Sequence, residues 1–312
     1  MDGNRVAKIA PDPNGPVNHG TICPKGIAAK ELLYHPNRLK YPMKRVGQRG
    51  EGKWERISWE EAFSLICEKV KCITKSWGAE SIALVQGTGR HHLKHTIRFA
   101  NALGTPNWYE PGAAQCYFPR VCAGSLTYGA EAGAGYFEGA TEPSCLLVWG
   151  TNPTQSGAGI RAQLGRLSTL PNTEFIVVDP RCTALACRAK YWLQIRPGTD
   201  AALALGFLHV IIQEKLYDQE FVRRWTYGFE ALQARCASYT PERVAKITWV
   251  PAEHIVAAAR LFAQSKPASL EWGCSLEHTP NALQTVRAVA MLPVITGNYD
   301  VPGGWVEYLP GL

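Results

Sequence analysis

The cysteines are the first candidates for chemistry in this sequence. Ten cysteines stand at positions 23, 67, 72, 116, 122, 145, 182, 187, 236 and 274. They form no Cys-x-x-Cys pair and no evenly spaced framework, so we predict reduced thiols in a cytoplasmic protein. Cys67 and Cys72 fall in a helical pattern and Cys145 precedes an apolar strand, so we expect these three to fill the core.

Two cysteines stand in stretches that suit a more exposed sulfur. Cys23 is followed by Pro-Lys-Gly, which is typical of a loop, although a single cysteine in such a loop is more often inert than a ligand. Cys116 follows Gly112-Ala-Ala-Gln115, where small residues leave room around the sulfur. Arg120, if it lies nearby, would favour the Cys116 thiolate.

Three histidines, His91, His92 and His95, could suggest a zinc site. They stand at the start of an amphipathic helical pattern, and no acidic residue that could complete the site is near in sequence. A solvated or capping role is therefore favoured over metal binding.

The elements that would position such groups centre on one β-α-β pattern. Leu146 to Trp149 is a continuous apolar run that predicts a strand buried on both faces, and it ends at Gly150. A second strand, Phe175 to Val178, stops at Asp179, and residues 158–167 between the strands have helical apolar spacing. The pair predicts a parallel sheet with a crevice at the strand carboxyl ends.

That crevice could hold a phosphorylated ligand. Small residues after a strand let the backbone approach a phosphate, and an acidic residue at the next strand end can accept hydrogen bonds from a sugar or base. Either half alone could equally be an ordinary strand-to-helix turn. No Gly-x-Gly-x-x-Gly motif is present, so the usual dinucleotide fingerprint is absent.

Other segments have clearer periodicity. Ser58-Trp-Glu-Glu61 is a capping box that should begin a helix at Trp59. Further helices are predicted over 59–74, 93–103, 200–214, 218–225, 229–238, 251–264 and 282–295, and short strands over 81–85 and 268–273.

Composition excludes several classes of protein. The chain has 312 residues, 46% of them hydrophobic and 19% charged, as expected of a globular protein. No apolar run approaches the ~20 residues of a membrane helix, so we expect no direct membrane span. The net charge of +7 is scattered rather than gathered in a basic block, which argues against nucleic-acid binding.

Seven short motifs follow one another along the chain, each weak on its own. They are Ile22-Cys-Pro-Lys-Gly26, Trp54-Glu-Arg-Ile-Ser-Trp-Glu-Glu-Ala62, Gly150-Thr-Asn-Pro153, Asp179-Pro-Arg181, Arg196-Pro-Gly-Thr-Asp200, Trp272-Gly273 and Thr296-Gly-Asn298. In order and spacing the set resembles the molybdopterin oxidoreductase family, in the branch with formate dehydrogenases, thiosulfate and polysulfide reductases and acetylene hydratase. The resemblance runs through essentially the whole chain.

The resemblance implies a cofactor and its binding residues. Family members hold molybdenum or tungsten on two pyranopterin guanine dinucleotides. By resemblance, one dinucleotide is held by Gly150, Thr151, Asn152, Pro153, Asp179, Arg181 and Gly273, with Thr199 and Asp200 at its guanosine end.

The resemblance also implies roles for sulfur and for one lysine. Cys116 falls at the position of the protein ligand to the metal, and Cys122, in Arg-Val-Cys, is the alternative ligand. Cys23 matches the last of four cysteines that hold a 4Fe-4S cluster, and Lys25 matches the lysine between cluster and pterin. We assign Cys116 and Lys25 to catalysis.

The implied fold is α/β, with parallel-sheet αβα (Rossmann-like) domains of a multidomain catalytic subunit. We expect residues 1–40 to be a remnant of the iron–sulfur domain, 41–111 part of a second α/β domain, 112–300 the cofactor-binding αβα domain, and 301–312 a truncated return to the second domain. The chain is thus expected to be the first half of a subunit without its leading cluster segment, which leaves twin-arginine export open.

The implied reaction is two-electron redox of a small-molecule substrate, with electrons leaving through the cluster to an iron–sulfur partner subunit. Three alternatives stay open. One is a non-redox hydratase, with the metal as Lewis acid. The others are a structural and electron-carrying protein like the large subunit of respiratory complex I, and an inactive truncated fragment.

Overall fold

The chain forms two compact units in the computed structural model. The model describes residues 3–15, 20, 22–87, 91–112, 115–116, 118–129, 141–156 and 170–305. The first unit comprises Met1–Lys8 and Ala28–Ala114, and the second comprises Ile9–Ile27 and Gln115–Leu312.

The described residues form both strands and helices. The strands are β1 (Met43–Arg45), β2 (Trp54–Arg56), β3 (Leu84–Val85), β4 (Trp108–Tyr109), β5 (Cys145–Trp149), β6 (Glu174–Val178), β7 (Tyr191–Leu193) and β8 (Ala268–Trp272). The helices are α1 (Pro24–Ile27), α2 (Ala29–Leu33), α3 (Trp59–Trp77), α4 (Leu93–Leu103), α5 (Phe118–Tyr128), α6 (Pro153–Ser156), α7 (Asp200–Gln213), α8 (Gln219–Trp225), α9 (Phe229–Cys236), α10 (Pro241–Thr248), α11 (Ala252–Gln264) and α12 (Ala282–Ile295). Within the described ranges, no helix combines the length and apolarity needed to cross a membrane.

The described part of the first unit contains two small sheets and three α-helices. β1 pairs antiparallel with β2, and β3 pairs parallel with β4. The predicted start of α3 is confirmed, since the Ser58 hydroxyl accepts a hydrogen bond from the Glu61 amide at 3.1 Å. The Glu61 carboxylate instead lies 3.6 Å from Lys44 Nζ.

The second unit is built on a four-stranded parallel sheet in the order β7-β6-β5-β8. Trp149 pairs in register with Val178 on one side and with Trp272 on the other, so β5, β6 and β8 end at one edge. Every residue of β5 and β8 is buried, which explains the continuous apolar run of β5, whereas β8 also buries the polar side chains of Ser269 and Glu271.

Apolar clusters cover both faces of this sheet. One face packs against helices α7, α11 and α12, with Trp149, Phe207 and Phe262 among its fully buried side chains. The other face carries a smaller cluster that includes Leu146 and Leu185. Together they fix the strand ends, and thus the loops that follow them.

The sequence predicted the long helices and the parallel strands well. Helices 93–103 and 282–295 match their predicted bounds, and β5 and β6 are parallel neighbours. The predicted strand 81–85 is wrong in part, because residues 79–81 form a 3-10 turn and only Leu84–Val85 pairs with a strand. The predicted helix over 158–167 lies outside the described residues.

Candidate functional site at the carboxyl edge of the parallel sheet

The ends of β5 and β8 meet backbone against backbone. The Gly273 amide donates to the Trp149 carbonyl at 3.0 Å, and a methyl group at Gly273 would collide with the Gly150 carbonyl oxygen. Gly150 has φ +59°, and a side chain there would collide with the Ser275 hydroxyl. Both positions therefore require glycine. The point where Gly150 and Gly273 approach each other is lined by backbone atoms, and we call it the β5–β8 crossing.

The loop after β5 is closed by its own side chains. Thr154 Oγ1 donates to Asn152 Oδ1 at 2.6 Å, and Asn152 Nδ2 donates to Gln155 Oε1 at 3.0 Å. Asn152 and Pro153 are buried, whereas Thr151 is half-buried beside the β5–β8 crossing.

The loop after β6 holds a buried carboxylate under an exposed cation. Asp179 is 4% exposed, and its Oδ1 accepts a hydrogen bond from the Arg181 amide at 2.8 Å. The Arg181 side chain is 68% exposed, with Nε 3.5 Å from the same oxygen. An anion at this edge would therefore meet the guanidinium before the carboxylate.

The start of α7 reaches the same edge. Trp149 Nε1 donates to Asp200 Oδ1 at 2.8 Å, which fastens the first residue of the helix to the end of β5. Burial raises the pKa of Asp200, and the Trp149 hydrogen bond partly offsets that rise. Thr199, whose hydroxyl donates to the Arg196 carbonyl at 2.6 Å, lines a cavity of about 1400 Å³.

Two sulfurs and a carboxylate gather just beyond β8. Cys116 Sγ lies 3.9 Å from Cys274 Sγ, and with Glu277 they form the one group of three metal-capable ligands in the part of the chain that the structure describes. Ser275, between them, donates to the Gly150 carbonyl at 2.8 Å. Cys116 is therefore brought to the strand edge where Gly150 lies.

The surroundings of Cys116 favour the thiol over the thiolate. Burial raises the pKa of Cys116, and the neighbouring Cys274 and Glu277 raise it further, against a lowering by Arg120. Arg120 lies nearby as anticipated, but its guanidinium is engaged by Glu277. Arg120 still favours the Cys116 thiolate, as expected, but burial and the neighbouring Cys274 and Glu277 outweigh its effect.

The remaining sulfur and lysine candidates lie elsewhere. Cys122, the alternative ligand, is half-buried on α5 beside the buried Ala123 and Gly124, and it lies outside the group around Cys116. Cys23 is half-buried before the single turn of α1, where its carbonyl accepts the Gly26 amide at 2.9 Å. Lys25 is exposed on that turn.

For two of the three cysteines that we expected in the core, the prediction is wrong. Cys145 is fully buried at the start of β5, and burial raises its pKa to about 12. Cys67 and Cys72 are exposed on α3, a helix that has no fully buried residue. Their spacing correctly predicted that both lie on a helix, but it did not indicate that they are exposed.

Sequence reasoning missed Cys274, Glu277 and Gln86. The first two join Cys116 across more than 150 positions, which no local pattern reveals. Gln86, at the end of β3 in the first unit, is 8% exposed, and neither its amide nitrogen nor its oxygen has a protein partner among the described residues. The available signal in the sequence was the position of Gln86 directly after the predicted strand 81–85.

Comparison with protein-family models gives two matches. Residues 38–309 match the model described as molybdopterin oxidoreductase, and residues 1–35 match the molybdopterin oxidoreductase Fe4S4 domain.

Curated relatives and a solved structure agree with these matches. The chain is 36% identical over 301 residues to acetylene hydratase of Syntrophotalea acetylenica, covering 96% of this chain and 40% of the relative. It is 35% identical over 322 residues to dimethyl sulfoxide reductase DmsA of Escherichia coli, covering 90% and 38%. The solved acetylene hydratase from Pelobacter acetylenicus superposes with a TM-score of 0.74 at 35% identity, over 94% of this chain and 39% of that one. The chain thus spans about two fifths of the length of these relatives.

Proposed function

The chain belongs to the molybdopterin oxidoreductase family, and from that premise we propose that it is part of a catalytic subunit that binds molybdenum or tungsten on pyranopterin guanine dinucleotides. The position of Cys116 carries the proposal. Its sulfur lies beside Cys274 at the strand edge that Gly150, Asp179 and Asp200 share. A soft sulfur donor next to strand ends that are lined by glycine backbone suits a thiolate-ligated metal on a nucleotide-bearing cofactor.

Strand order supports a Rossmann-like reading of the second unit. In chain order the strands are first β5, second β6, third β7 and fourth β8, so the sheet runs 3-2-1-4. In such sheets the ligand lies where the order reverses, which here is between β5 and β8. Gly150 and Gly273 stand at that reversal.

The residues present fit the nucleotide part of the cofactor. We propose that the loop Gly150–Pro153 and Arg181 hold phosphate, because one offers backbone and the other an exposed guanidinium. Thr199 and Asp200 would hold the guanosine end, where a carboxylate can accept hydrogen bonds from guanine N–H groups. Because Gly273 has no side chain, it would leave room for the cofactor at the β5–β8 crossing.

The residues around Cys116 would hold the metal end. The bound metal would supply either two-electron redox chemistry or Lewis acidity toward a small-molecule substrate. We propose that Cys116 is its protein ligand and must lose its proton on binding, since the thiol form is favoured without it. Arg120 would keep Glu277 neutralised, so that this carboxylate does not compete for the metal.

Electron transfer is the second part of the proposal. The Fe4S4 domain match covers residues 1–35, in which Cys23 is the single cysteine. We propose that Cys23 is one ligand of a 4Fe-4S cluster, that Lys25 lies between cluster and pterin, and that electrons pass to a separate iron–sulfur subunit in the cytoplasm. The two family matches meet near residue 36, which supports a domain boundary close to the proposed residue 40.

A hydration reaction is the second candidate. The relatives include acetylene hydratase and dimethyl sulfoxide reductase at nearly equal identity. One name describes the addition of water and the other a redox reaction, so membership of the family is compatible with either chemistry.

X-ray absorption at the metal edge tests the site. The protein is purified anaerobically from a host that makes the cofactor, and the wild type is compared with Cys116→Ser and the matched control Cys122→Ser. We expect one sulfur scatterer to be replaced by oxygen in Cys116→Ser alone. The same replacement in Cys122→Ser, with Cys116→Ser unchanged, would make Cys122 the ligand.

A further inference from the structure

Two further cysteines face each other outside the site described above. Cys182 Sγ and Cys187 Sγ lie 3.2 Å apart, within hydrogen-bond distance, and both residues are exposed. They stand in the segment that follows Arg181 at the end of β6. Their spacing of five residues is not that of a zinc or redox Cys-x-x-Cys motif.

The backbone between them is folded so that the sulfurs stay together. The Cys187 amide donates to the Thr183 carbonyl at 2.9 Å, and Thr183 Oγ1 accepts the Ala186 amide at 3.1 Å. Leu185 is fully buried and Ala186 nearly so, in the apolar cluster on that face of the sheet. Its buried apolar residues thus hold the turn against the sheet, while its two cysteines remain exposed.

The geometry favours a covalent bond over metal binding. Neither sulfur belongs to a group of three metal-capable ligands among the described residues. A disulfide requires the sulfurs to approach to about 2.05 Å, which here is a movement of about 1 Å by exposed side chains. We propose that Cys182 and Cys187 form a reversible disulfide by exchange with small-molecule disulfides such as oxidised glutathione.

The exchange balances in two steps. Either sulfur can donate the hydrogen bond between them, and we take Cys187 as the attacking sulfur. The Cys187 thiolate attacks one sulfur of oxidised glutathione, which forms a mixed disulfide and releases one glutathione thiolate. Cys182 then loses its proton to solvent and attacks the Cys187 sulfur, releasing the second glutathione. Two cysteine thiols are oxidised and one glutathione disulfide is reduced to two thiols.

The bridge would stiffen the loop that carries Arg181. The Arg181 amide donates to Asp179, and the Thr183 amide donates to the Arg181 carbonyl at 3.0 Å, so Arg181 is joined to the bridged turn through its backbone. We therefore expect slower amide hydrogen exchange in residues 182–189 of the oxidised chain. This inference stands whether or not the edge binds a dinucleotide.

The chain offers a matched control in Cys67 and Cys72. These two are also exposed and also five residues apart, but they lie on the regular helix α3. Five residues of an α-helix turn the side chain by about 140° around the axis, so their sulfurs point apart. All four cysteines are thus exposed and the sequence spacing is the same, but the backbone holds the sulfurs together in one pair and apart in the other.

The test is equilibration of the whole chain in glutathione buffers of graded composition under argon. Samples are quenched in acid and alkylated, and the linked peptides are identified by mass spectrometry. We expect the Cys182–Cys187 bridge at an oxidised-to-reduced ratio at least about tenfold lower than any Cys67–Cys72 bridge. In Cys182→Ser the bridge should be replaced by a glutathione adduct on Cys187, with the circular dichroism spectrum unchanged.

Several results would overturn the inference. One is that Cys182 and Cys187 are both still alkylated in excess oxidised glutathione. Another is bridging of the two pairs at the same ratio. A third is preferential pairing of either cysteine with a different cysteine, such as Cys116 or Cys274.

Discussion

Arg120 and Glu277 form an ion pair that is almost wholly buried beside Cys116. Arg120 Nε donates to Glu277 Oε1 at 2.8 Å, and the two side chains are 10% and 2% exposed. The guanidinium also lies 5.3 Å from the centre of the Trp272 ring. The pair therefore ties helix α5 to the segment after β8, the two pieces of chain that bring Cys116 and Cys274 together.

Removing one member of this pair should be costly. Arg120→Met leaves the Glu277 carboxylate buried without its cation, and we expect the free energy of unfolding to fall by about 3–5 kcal/mol. Urea denaturation followed by circular dichroism measures this.

The double variant Arg120→Met with Glu277→Leu serves as the control. It removes both charges and should recover most of the loss, because no charge is left buried. A single variant that costs less than about 1 kcal/mol would show that water or another group reaches Glu277.

The glycine at the β5–β8 crossing gives a second prediction. Gly273→Ala places a methyl group against the Gly150 carbonyl oxygen, which is backbone and cannot rotate away. We expect a loss of about 1–3 kcal/mol in the free energy of unfolding, as in other overpacked sites. Gly87→Ala, where nothing lies within 4 Å, is the control and should change little. Equal stabilities of the two variants would mean that the strands separate readily at this edge.

A third prediction concerns pH. Burial raises the pKa of Asp200 in the folded chain above its unfolded value, so the ionised form is disfavoured by folding. That penalty is present above the folded pKa and absent below the unfolded value of about 3.9. Relative to Asp200→Asn, the wild type should therefore gain stability as pH falls from 7 toward 4.

Glu242 is a control of opposite sign. It also lies in the first turn of a helix, but its pKa is lowered by a backbone hydrogen bond and by Thr240. Relative to Glu242→Gln, the wild type should lose stability over the same fall in pH. Parallel pH profiles for the two pairs of proteins would contradict the assigned cause, which is burial at Asp200.

The sequence was informative where structure is local. Strands β5 and β6 carry apolar runs that are followed by Gly150 and Asp179, and parallel strands of one sheet must end at a common edge. The geometric prediction that Gly150, Asp179 and Asp200 lie at one edge is confirmed by the strand register and by the Trp149–Asp200 hydrogen bond.

The sequence failed where the determining contact is distant or the element is short. No local pattern around Cys116 indicates that Cys274 lies beside it, because 158 positions separate the two residues. β1 and β2 have three residues each, all exposed, so no apolar alternation marks them. Helix α10 was missed although Thr240-Pro241 is a good start signal, and the Thr240 hydroxyl does accept the Arg243 amide at 3.4 Å.

The last prediction concerns the iron–sulfur cluster. A 4Fe-4S cluster usually requires four thiolates, and Cys23 is the single cysteine before Cys67 in this 312-residue chain. We therefore expect the chain on its own to bind no stable cluster after anaerobic reconstitution, measured as iron and acid-labile sulfide per chain. A longer chain with three further cysteines ahead of residue 1 should bind about four irons, and Cys23→Ala in that longer chain should lose most of them.

The 312-residue chain also carries the control for this experiment. Nine other thiols are present, so adventitious iron is best judged by comparing the wild type with Cys23→Ala in the same preparation. We expect the two to hold equally little acid-labile sulfide. The prediction is contradicted if the wild type holds near-stoichiometric cluster that disappears in Cys23→Ala. Other cysteines of this chain would then complete the ligand set. The exposed Cys67 and Cys72 would be the first to substitute in a search for them.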